Sequence, residues 1–445
     1  MDTCMTLLIL VCFVSATLGA PRYNQPLNVR DPLARLQLRS SHGLPKPDEE
    51  LDVDSPEFEF DMVLTPLQRL YIATHSGETE PSEAWKRKAI VDVTRHWPQA
   101  TVPYQITSGL KQYQIQWAID AMSLWENSTC IRFYPRSPLL ASQLGHDDYV
   151  SFTNGSSCRT MVGRVPGGQD LSVGQCSKGS IMHELGHTIG YVHEQSRPDR
   201  DANVDIIENN IIPTRESDFK KYTSKLVRTF GLPYDYGSIM HYSSTAFSKN
   251  GGLTVRTHDP HLQMVIGQRK DLSFLDVQLA NDLYKCNDHC TTHKICNNNG
   301  YVGPDCTCVC PEGLTGDTCD QLMASDKNCG GVLNATSGSL QTPDYPMDYP
   351  QNADCYWLIQ GPPRSNIVLT FDAFDTDNEL DCQWCACDYL EVKVYGLNKV
   401  GQRYCGTYVK NPIVYNSSSL LLHFHSDEIW TMNSGVRFSY KIVTS

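Results

Sequence analysis

Beyond its first twenty residues, the 445-residue chain has no apolar run close to the roughly 20 residues that a membrane-spanning helix needs. Its C-terminal SYKIVTS carries no anchor signal. No membrane insertion is expected of the mature chain. A basic surplus is also lacking: 37 Lys and Arg stand against 50 Asp and Glu, for a formal charge of −13. That balance offers no electrostatic footprint for nucleic acid and reads as a solubility feature. Cysteine is missing from residues 21 to 88. The opening MDTCMTLLILVCFVSATLGA lacks the usual early Lys or Arg, yet it is an apolar run ending in small residues, as in a secretory signal peptide (1–20). Pro21 is a poor residue to follow a cut, so Ala16, Gly19 and Ala20 stand as alternative cleavage points.

What is present fits that compartment. Cys4 and Cys12 fall in the leader, and the other sixteen of the 18 cysteines lie from Cys130 onward, an even number for which disulfides are the default in a secreted chain. Sequons at Asn127, Asn154, Asn334 and Asn416 suit an extracellular glycoprotein. The length calls for several domains, since single cores rarely exceed about 250 to 300 residues. Residues 21–88 combine an acidic stretch, PDEELDVDSPEFEFD, with a basic cluster at Lys86, Arg87 and Lys88. Composition alone reads this equally as a propeptide with a trypsin-type cleavage site or as a disordered acidic linker. In 89–286, Val102, Tyr104 and Ile106 alternate as in a strand, Ile115, Ile119, Met122 and Trp125 recur at helical spacing, Tyr149–Thr153 is a short strand, and 180–190 reads as a helix. The region is expected to be one mixed α+β domain. Six cysteines between Cys290 and Cys319 mark a segment too small for a core of its own. Residues 329–445 carry strand-like runs separated by Pro and Gly, as in an all-β sandwich.

The chemistry concentrates in HELGHTIGYVHEQSRPDRD, residues 183–201. His183 and His187, four apart on a helix, project from one face toward a shared metal ion, with Glu184 beside them. On a continued helix His193 would lie ~9 Å further along the axis, too far for a common ion with bonds of ~2.0–2.1 Å. Gly190 tolerates the left-handed backbone that ends a helix and turns the chain back, so a third imidazole becomes available. Three imidazoles leave an open coordination position, which marks a catalytic rather than a structural zinc. Zinc would lower the pKa of a bound water to about 7 and polarise a scissile carbonyl, and Glu184 would act as general base and acid.

The whole run, with Glu194 after the third histidine and then Arg197-Pro198-Asp199-Arg200-Asp201, resembles the astacin family of metzincin zinc endopeptidases. Ser238-Ile239-Met240-His241-Tyr242 resembles its methionine turn. The resemblance implies Met240 as an apolar floor under the zinc, and Tyr242 as a catalytic residue and further zinc ligand that swings toward the tetrahedral intermediate. It implies disulfides Cys130 to Cys286 and Cys158 to Cys176. Phe58-Glu59-Phe60-Asp61 resembles the family's F-x-G-D zymogen switch, making Asp61 a zinc ligand in the proenzyme, although Phe60 stands where glycine is usual. The family frees a new N-terminus that is buried near the glutamate matching Glu194. Here it is expected at Ala89 after cleavage by a trypsin-like protease, with cleavage after Arg87 as the alternative. Arg269 and Lys270 lie near the pocket for the residue after the scissile bond, where they would favour acidic side chains.

Residues 287–320 resemble an EGF-like module, implying pairs Cys290 to Cys306, Cys296 to Cys308 and Cys310 to Cys319. A C-x-C-x-C core is also a metal-binding pattern, but an oxidising compartment disfavours free thiolates. Residues 329–445, with Asp388-Tyr389-Leu390-Glu391-Val392, resemble a CUB module, implying pairs Cys329 to Cys355 and Cys385 to Cys405. Cys382 and Cys387 exceed that pattern and form either a local extra bridge or part of a re-pairing. Calcium ligands there would be Asp388 and Asp427, with Asp377 or Glu379 as a third. His423 and His425 share a strand face and are expected to be solvated, without a role, as are His258 and His261. The expectation is therefore a multidomain secreted proenzyme, with an α+β metzincin-type catalytic domain, a small disulfide-rich EGF-like module and an all-β CUB sandwich, hydrolysing extracellular proteins with one zinc. The rival is an inert adhesion or scaffold protein on a protease fold, which loss of Glu184 or of one histidine would favour; all are present.

Overall fold

The computed structural model describes residues 61–63 and 87–444, apart from 91, 225–226, 292–293, 326, 378–384, 386, 395, 408–411 and 430–431. The leader, most of the prosegment, Phe58 to Phe60, Glu379 and Cys382 fall outside the described residues. No helix among them is long and apolar enough to cross a membrane.

The first domain is built on a six-stranded sheet in the order β1-β6-β7-β5-β3-β4, from β1 (Met62–Val63), β3 (Thr101–Ile106), β4 (Arg132–Pro135), β5 (Tyr149–Thr153), β6 (Cys158–Met161) and β7 (Gly168–Val173), while β2 (Arg87–Ile90) lies outside this sheet. All neighbours run parallel except β6 and β7. β1 lies in the segment expected to be a propeptide and adds itself to the open edge of β6, Met62 opposite Thr160. Helices α1 (Gln112–Ser128) and α3 (Lys178–Thr188) lie against each other, with the short α2 (Pro138–Leu144) between them in sequence.

The buried stripe of α1 differs from the one its apolar spacing suggested. Gln114, Ala118, Ala121, Met122 and Trp125 face inward, whereas Ile119 is 40% exposed. Two alanines on the inner face let α1 approach α3 closely, and the Trp125 indole then donates to the carbonyl of Met182 at 3.2 Å. The chain continues through β8 (Val204–Ile206), β9 (Val227–Thr229) and β10 (Val255–Thr257) to α4 (Phe274–Leu283). Cys130 pairs with Cys286 across 156 residues, tying the end of α1 to the end of α4, and Cys158 pairs with Cys176 across the β6–β7 hairpin.

Among its described residues the next segment has two minimal hairpins, β11 (Tyr301–Val302) with β12 (Cys308–Val309) and β13 (Leu314–Thr315) with β14 (Gln321–Leu322). Three disulfides, Cys290–Cys306, Cys296–Cys308 and Cys310–Cys319, take the place of a core. The last unit is a sandwich. Its strands are β15 (Gly331–Leu333), β16 (Ser337–Gln341), β17 (Asp354–Gln360), β18 (Ser365–Asp375), β19 (Tyr389–Lys393), β20 (Gln402–Tyr404), β21 (Ile413–Tyr415), β22 (Ser419–His425) and β23 (Gly435–Thr444). One sheet runs β15-β17-β22-β19-β20 and the other β16-β23-β18-β21. Trp357, Phe371, Phe424 and Phe438 fill the space between them. Cys329 pairs with Cys355 and Cys385 with Cys405. Cys387 is disulfide-bonded as well.

Candidate metal centre

Helix α3 starts where Ser177 caps it, its hydroxyl accepting from the backbone N–H of Ser180. It ends after three turns at Thr188, and Gly190 takes φ 109°, a conformation that costs a residue with a Cβ. The reversal brings His193 back over the helix. A Cβ on Gly186 would lie 2.6 Å from the sulfur of Met240, so this glycine is what lets Met240 pack directly under the histidine helix. Sequence reading passed over Gly186, although its place between Glu184 and His187 was in plain view.

The side chains of His183, His187 and His193 are 2%, 0% and 0% exposed and, with Asp61, offer donor atoms all within 4.8 Å of one another. His183 Nε2 lies 3.0 Å and His193 Nε2 3.1 Å from Asp61 Oδ2. The two imidazole nitrogens are 3.3 Å apart, and His187 Nε2 is 3.6 Å from Asp61 Oδ1. Two ligands on a tetrahedral ion with bonds of ~2.0–2.1 Å stand about 3.3–3.4 Å apart, so the donor set fits a zinc ion. The second nitrogens agree with this. His183 Nδ1 donates to the carbonyl of Ile239 at 2.8 Å and His187 Nδ1 to that of Tyr191 at 2.9 Å. A carbonyl can only accept, so in both rings Nε2 is left with its lone pair aimed at the shared point. His187 Nε2, Asp61 Oδ1 and Glu184 Oε2 are buried without a hydrogen-bond partner among the described residues, an arrangement that is costly unless an ion or its water is the partner.

Electrostatics follow from burial. Desolvation, with the Arg269 charge next, lowers His183 to about 3, so that its imidazole stays neutral. Burial would raise the Asp61 carboxyl, but the His193 charge and the close approach of the three imidazoles outweigh it and hold it well below the carboxylate range. Glu184 is pushed well above its ordinary value, first by burial and then by the Asp61 charge, with Arg269 opposing.

Around this centre lies a supporting layer that the sequence did not announce. Asp276, fully buried at the start of α4, accepts from the Ser238 hydroxyl at 2.7 Å and the Ile239 N–H at 2.8 Å. It thereby fixes the residue whose carbonyl holds His183. The Ser273-x-x-Asp276 spacing is a capping box, the one local signal that could have drawn attention to it. Gln195 Oε1 accepts from the Tyr242 N–H at 3.1 Å, and the Tyr242 ring sits 4.5 Å from that of His193. Arg269 donates to the carbonyls of His241 and Gln268, while Lys270 is exposed.

Glu194 is fully buried. Its Oε1 accepts from Arg197 at 3.1 Å and from the Asp235 N–H at 2.7 Å. Arg197 uses all five of its donors, on Glu194, on Asp199 twice, and on the carbonyls of Leu232 and Pro233. Ala89, the expected mature start, is buried in β2, which pairs with β9, and it bridges to Tyr191.

In the sandwich Asp388, Asp427 and Asp377 are all buried. The Tyr349 hydroxyl donates to Asp388 at 2.6 Å, and Asp388 accepts from the Asp427 N–H at 2.8 Å. Burial raises the Asp388 carboxyl, and the charges of Asp427 and Asp377 add to the shift. The four sequon asparagines are exposed. His258 faces Asp205 at 3.1 Å, and the His261 ring packs 4.6 Å from Tyr404 of the sandwich. One expectation needs correcting: His423 is not solvated but 0% exposed, because Tyr356 stacks on its face at 4.3 Å.

Residues 89–285 match the family model of the astacin peptidases, and residues 329–440 match the CUB domain. The chain is 38% identical over 392 residues to Blastula protease 10 of Paracentrotus lividus, covering 87% of this chain and 65% of that protein. It is 37% identical over 407 residues to Protein SpAN of Strongylocentrotus purpuratus, covering 90% of this chain and 65% of that one. The chain thus spans about two thirds of the length of these relatives, just short of that fraction. Among solved structures, High choriolytic enzyme 1, a hatching enzyme zinc-protease from Oryzias latipes, is 32% identical with a TM-score of 0.38, over 47% of this chain and 99% of that one.

Proposed function

Because the chain belongs to the astacin family of zinc metalloendopeptidases, we propose that it is a secreted zinc-dependent endopeptidase, made as a zymogen, that cleaves extracellular proteins. The observation that carries this reading is the convergence of three buried imidazoles and Asp61 on one point, with the Glu184 carboxylate beside it. When bound, zinc supplies Lewis acidity toward a scissile carbonyl and acidifies a water. His183, His187 and His193 hold the ion, the first two oriented by the carbonyls of Ile239 and Tyr191. Glu184 takes the proton from the attacking water and hands it to the leaving amine. Tyr242 stabilises the developing oxyanion from its place beside His193.

Asp61 acts as the latch, occupying the position that the water needs. The same prosegment contact lays β1 along β6, an edge able to pair with an extended peptide. Removing the prosegment therefore opens both the metal position and the strand edge along which substrate lies. Cleavage before Ala89 by a trypsin-like protease releases it, and the new amine goes to the Glu194 region. Arg269 biases the pocket toward acidic side chains after the scissile bond. The disulfide-rich segment serves as an EGF-like spacer, and the CUB module places the enzyme and binds calcium through Asp388, Asp427 and Asp377.

The test is cleavage of a denatured protein by the secreted chain, before and after trypsin treatment, with and without a zinc chelator, beside Glu184→Ala. Cleavage that needs processing, zinc and Glu184 together supports the reading. A processed chain that binds zinc and cleaves nothing leaves a scaffold protein on a protease fold.

A further inference from the structure

We propose a second metal site, in the C-terminal sandwich, where Asp354, His423 and His425 hold a divalent cation of borderline softness such as zinc. The strands β17 and β22 are paired antiparallel within one five-stranded sheet, Asp354 opposite His425 and Tyr356 opposite His423. Residues two apart on a strand share a face, so both imidazoles and the carboxylate stand on the same side. His423 Nε2 lies 2.7 Å and His425 Nδ1 2.8 Å from one oxygen, Oδ1 of Asp354. The three donor atoms lie within 4.8 Å of one another. This is the pattern of the catalytic centre in miniature, a carboxylate oxygen set against imidazole nitrogens.

The rings are held in place. Tyr356 stacks on His423 with planes 19° apart, and Tyr389 packs on His425 at 5.1 Å, itself covered by Arg403 at 4.0 Å. Donors fixed on neighbouring strands of a sheet need little reorganisation to bind. On a tetrahedral ion at ~2.0–2.1 Å the donors would stand about 3.3–3.4 Å apart, so the carboxylate must move outward by about half an ångström. Asp354, with its side chain 28% exposed, is the group with room to do so, while His423 is fully covered and His425 is 12% exposed. Access from that rim leaves a coordination position for water. Two imidazoles and one carboxylate suit zinc or a neighbouring transition metal rather than calcium, which takes oxygen ligands.

The site adjoins the preceding segment: a Cβ on Gly313 would lie 2.8 Å from the Tyr356 ring, and the Tyr356 N–H donates to the Ser325 hydroxyl at 3.1 Å. An ion on His423 therefore stiffens the junction between the disulfide-rich segment and the sandwich. Without an ion, Asp354 simply accepts hydrogen bonds from two neutral imidazoles, and the experiment separates the two states.

The unprocessed full chain, stripped with a chelator and desalted, is titrated with Co2+ and with Zn2+, reading bound metal per chain and the visible absorption of cobalt. Asp354→Asn and His425→Gln alter only the rim and leave buried His423 in place. Two equivalents in the wild type, falling to one in each variant with its cooperative unfolding intact, is the expected result. A single equivalent in the wild type overturns the proposal, as do two equivalents retained in either variant. Should His425→Gln fail to fold, His425→Cys, which keeps a ligand, must retain two equivalents, and a fall to one in that variant also overturns it.

Discussion

Removing the Asp276 carboxylate should weaken the metal centre without touching a ligand. Asp276 accepts from the Ser238 hydroxyl, the Ile239 N–H and the Ser273 N–H, at 2.7, 2.8 and 3.2 Å. Hydrogen bonds to a charged acceptor contribute about 1.5–3 kcal/mol each in mutational series, and they do not add fully. Two buried donors and the half-buried Ser273 N–H lose their partner in Asp276→Ala, so the expected cost is about 3–5 kcal/mol. For a domain of this size that lowers Tm by roughly 10 °C. Asp276→Asn keeps one acceptor for Ile239 and should cost about half as much. The second consequence is specific: the Ile239 carbonyl holds His183 Nδ1 at 2.8 Å, and losing such an outer partner typically weakens metal binding by about 10–100-fold. Thermal unfolding of the chelator-stripped chain measures the first effect, and zinc competition with a chromophoric chelator measures the second. A variant that loses stability but keeps wild-type zinc affinity would refute the link from Asp276 through Ile239 to His183.

Three further outcomes are expected. Asp61→Ala should let the uncut chain cleave a denatured protein at least about tenfold faster than uncut wild type, given about 1.5–3 kcal/mol for a charge-assisted contact; equal silence of the two would place the block elsewhere in the prosegment. Replacing both Cys130 and Cys286 by Ala releases a loop of 156 residues and should cost up to about 5 kcal/mol by loop entropy, read as a lower urea midpoint under oxidising conditions. His183 sits at about 3 against an ordinary 6.5, so below 6.5 the unfolded chain takes up a proton that the folded site refuses. Metal-free stability should therefore be full above about pH 6.5 and fall by up to about 1.4 kcal/mol per pH unit down to about 3. Unchanged melting between about pH 7 and about pH 5 would mean that folded His183 accepts the proton.

The parts of the centre legible in the sequence are those whose geometry is local. His183 and His187 are set by the helical repeat, and His193 by a single backbone reversal at Gly190, so eleven consecutive residues encode three convergent imidazoles. Asp276 was not legible in this way. Its partners Ser238 and Ile239 are 38 and 37 residues away, and a capping box explains its identity without reference to them. Ile119 stays 40% exposed: apolar spacing reports a helix face, not what covers it, and α3 claims the alanine side of α1, so the isoleucine is left outside. His423 failed for the complementary reason. Strand alternation sets it on the sheet's outer face, and stacked Tyr356, itself beside Gly313 of the preceding segment, together with the edge-on Tyr389 ring makes that face an interior.

The mature N-terminus shows where a motif stops informing. Glu194 reads in the sequence as the partner of a new amine, yet in the uncut chain its Oε1 already accepts from Arg197 and from the Asp235 N–H. Arg197, buried with every donor used, has no cheaper place to go. On the proposed processing, an arriving ammonium would join an ion pair that already exists, since Arg197 compensates the charge of Glu194 in the uncut chain. On that proposal, what cleavage would change is the strand β2, where Ala89 is held between β9 and Tyr191. Tyr191 is also the residue whose carbonyl holds His187 Nδ1, so on the proposed activation release of β2 would reach the His187 imidazole through the backbone of Tyr191 as well as through withdrawal of Asp61.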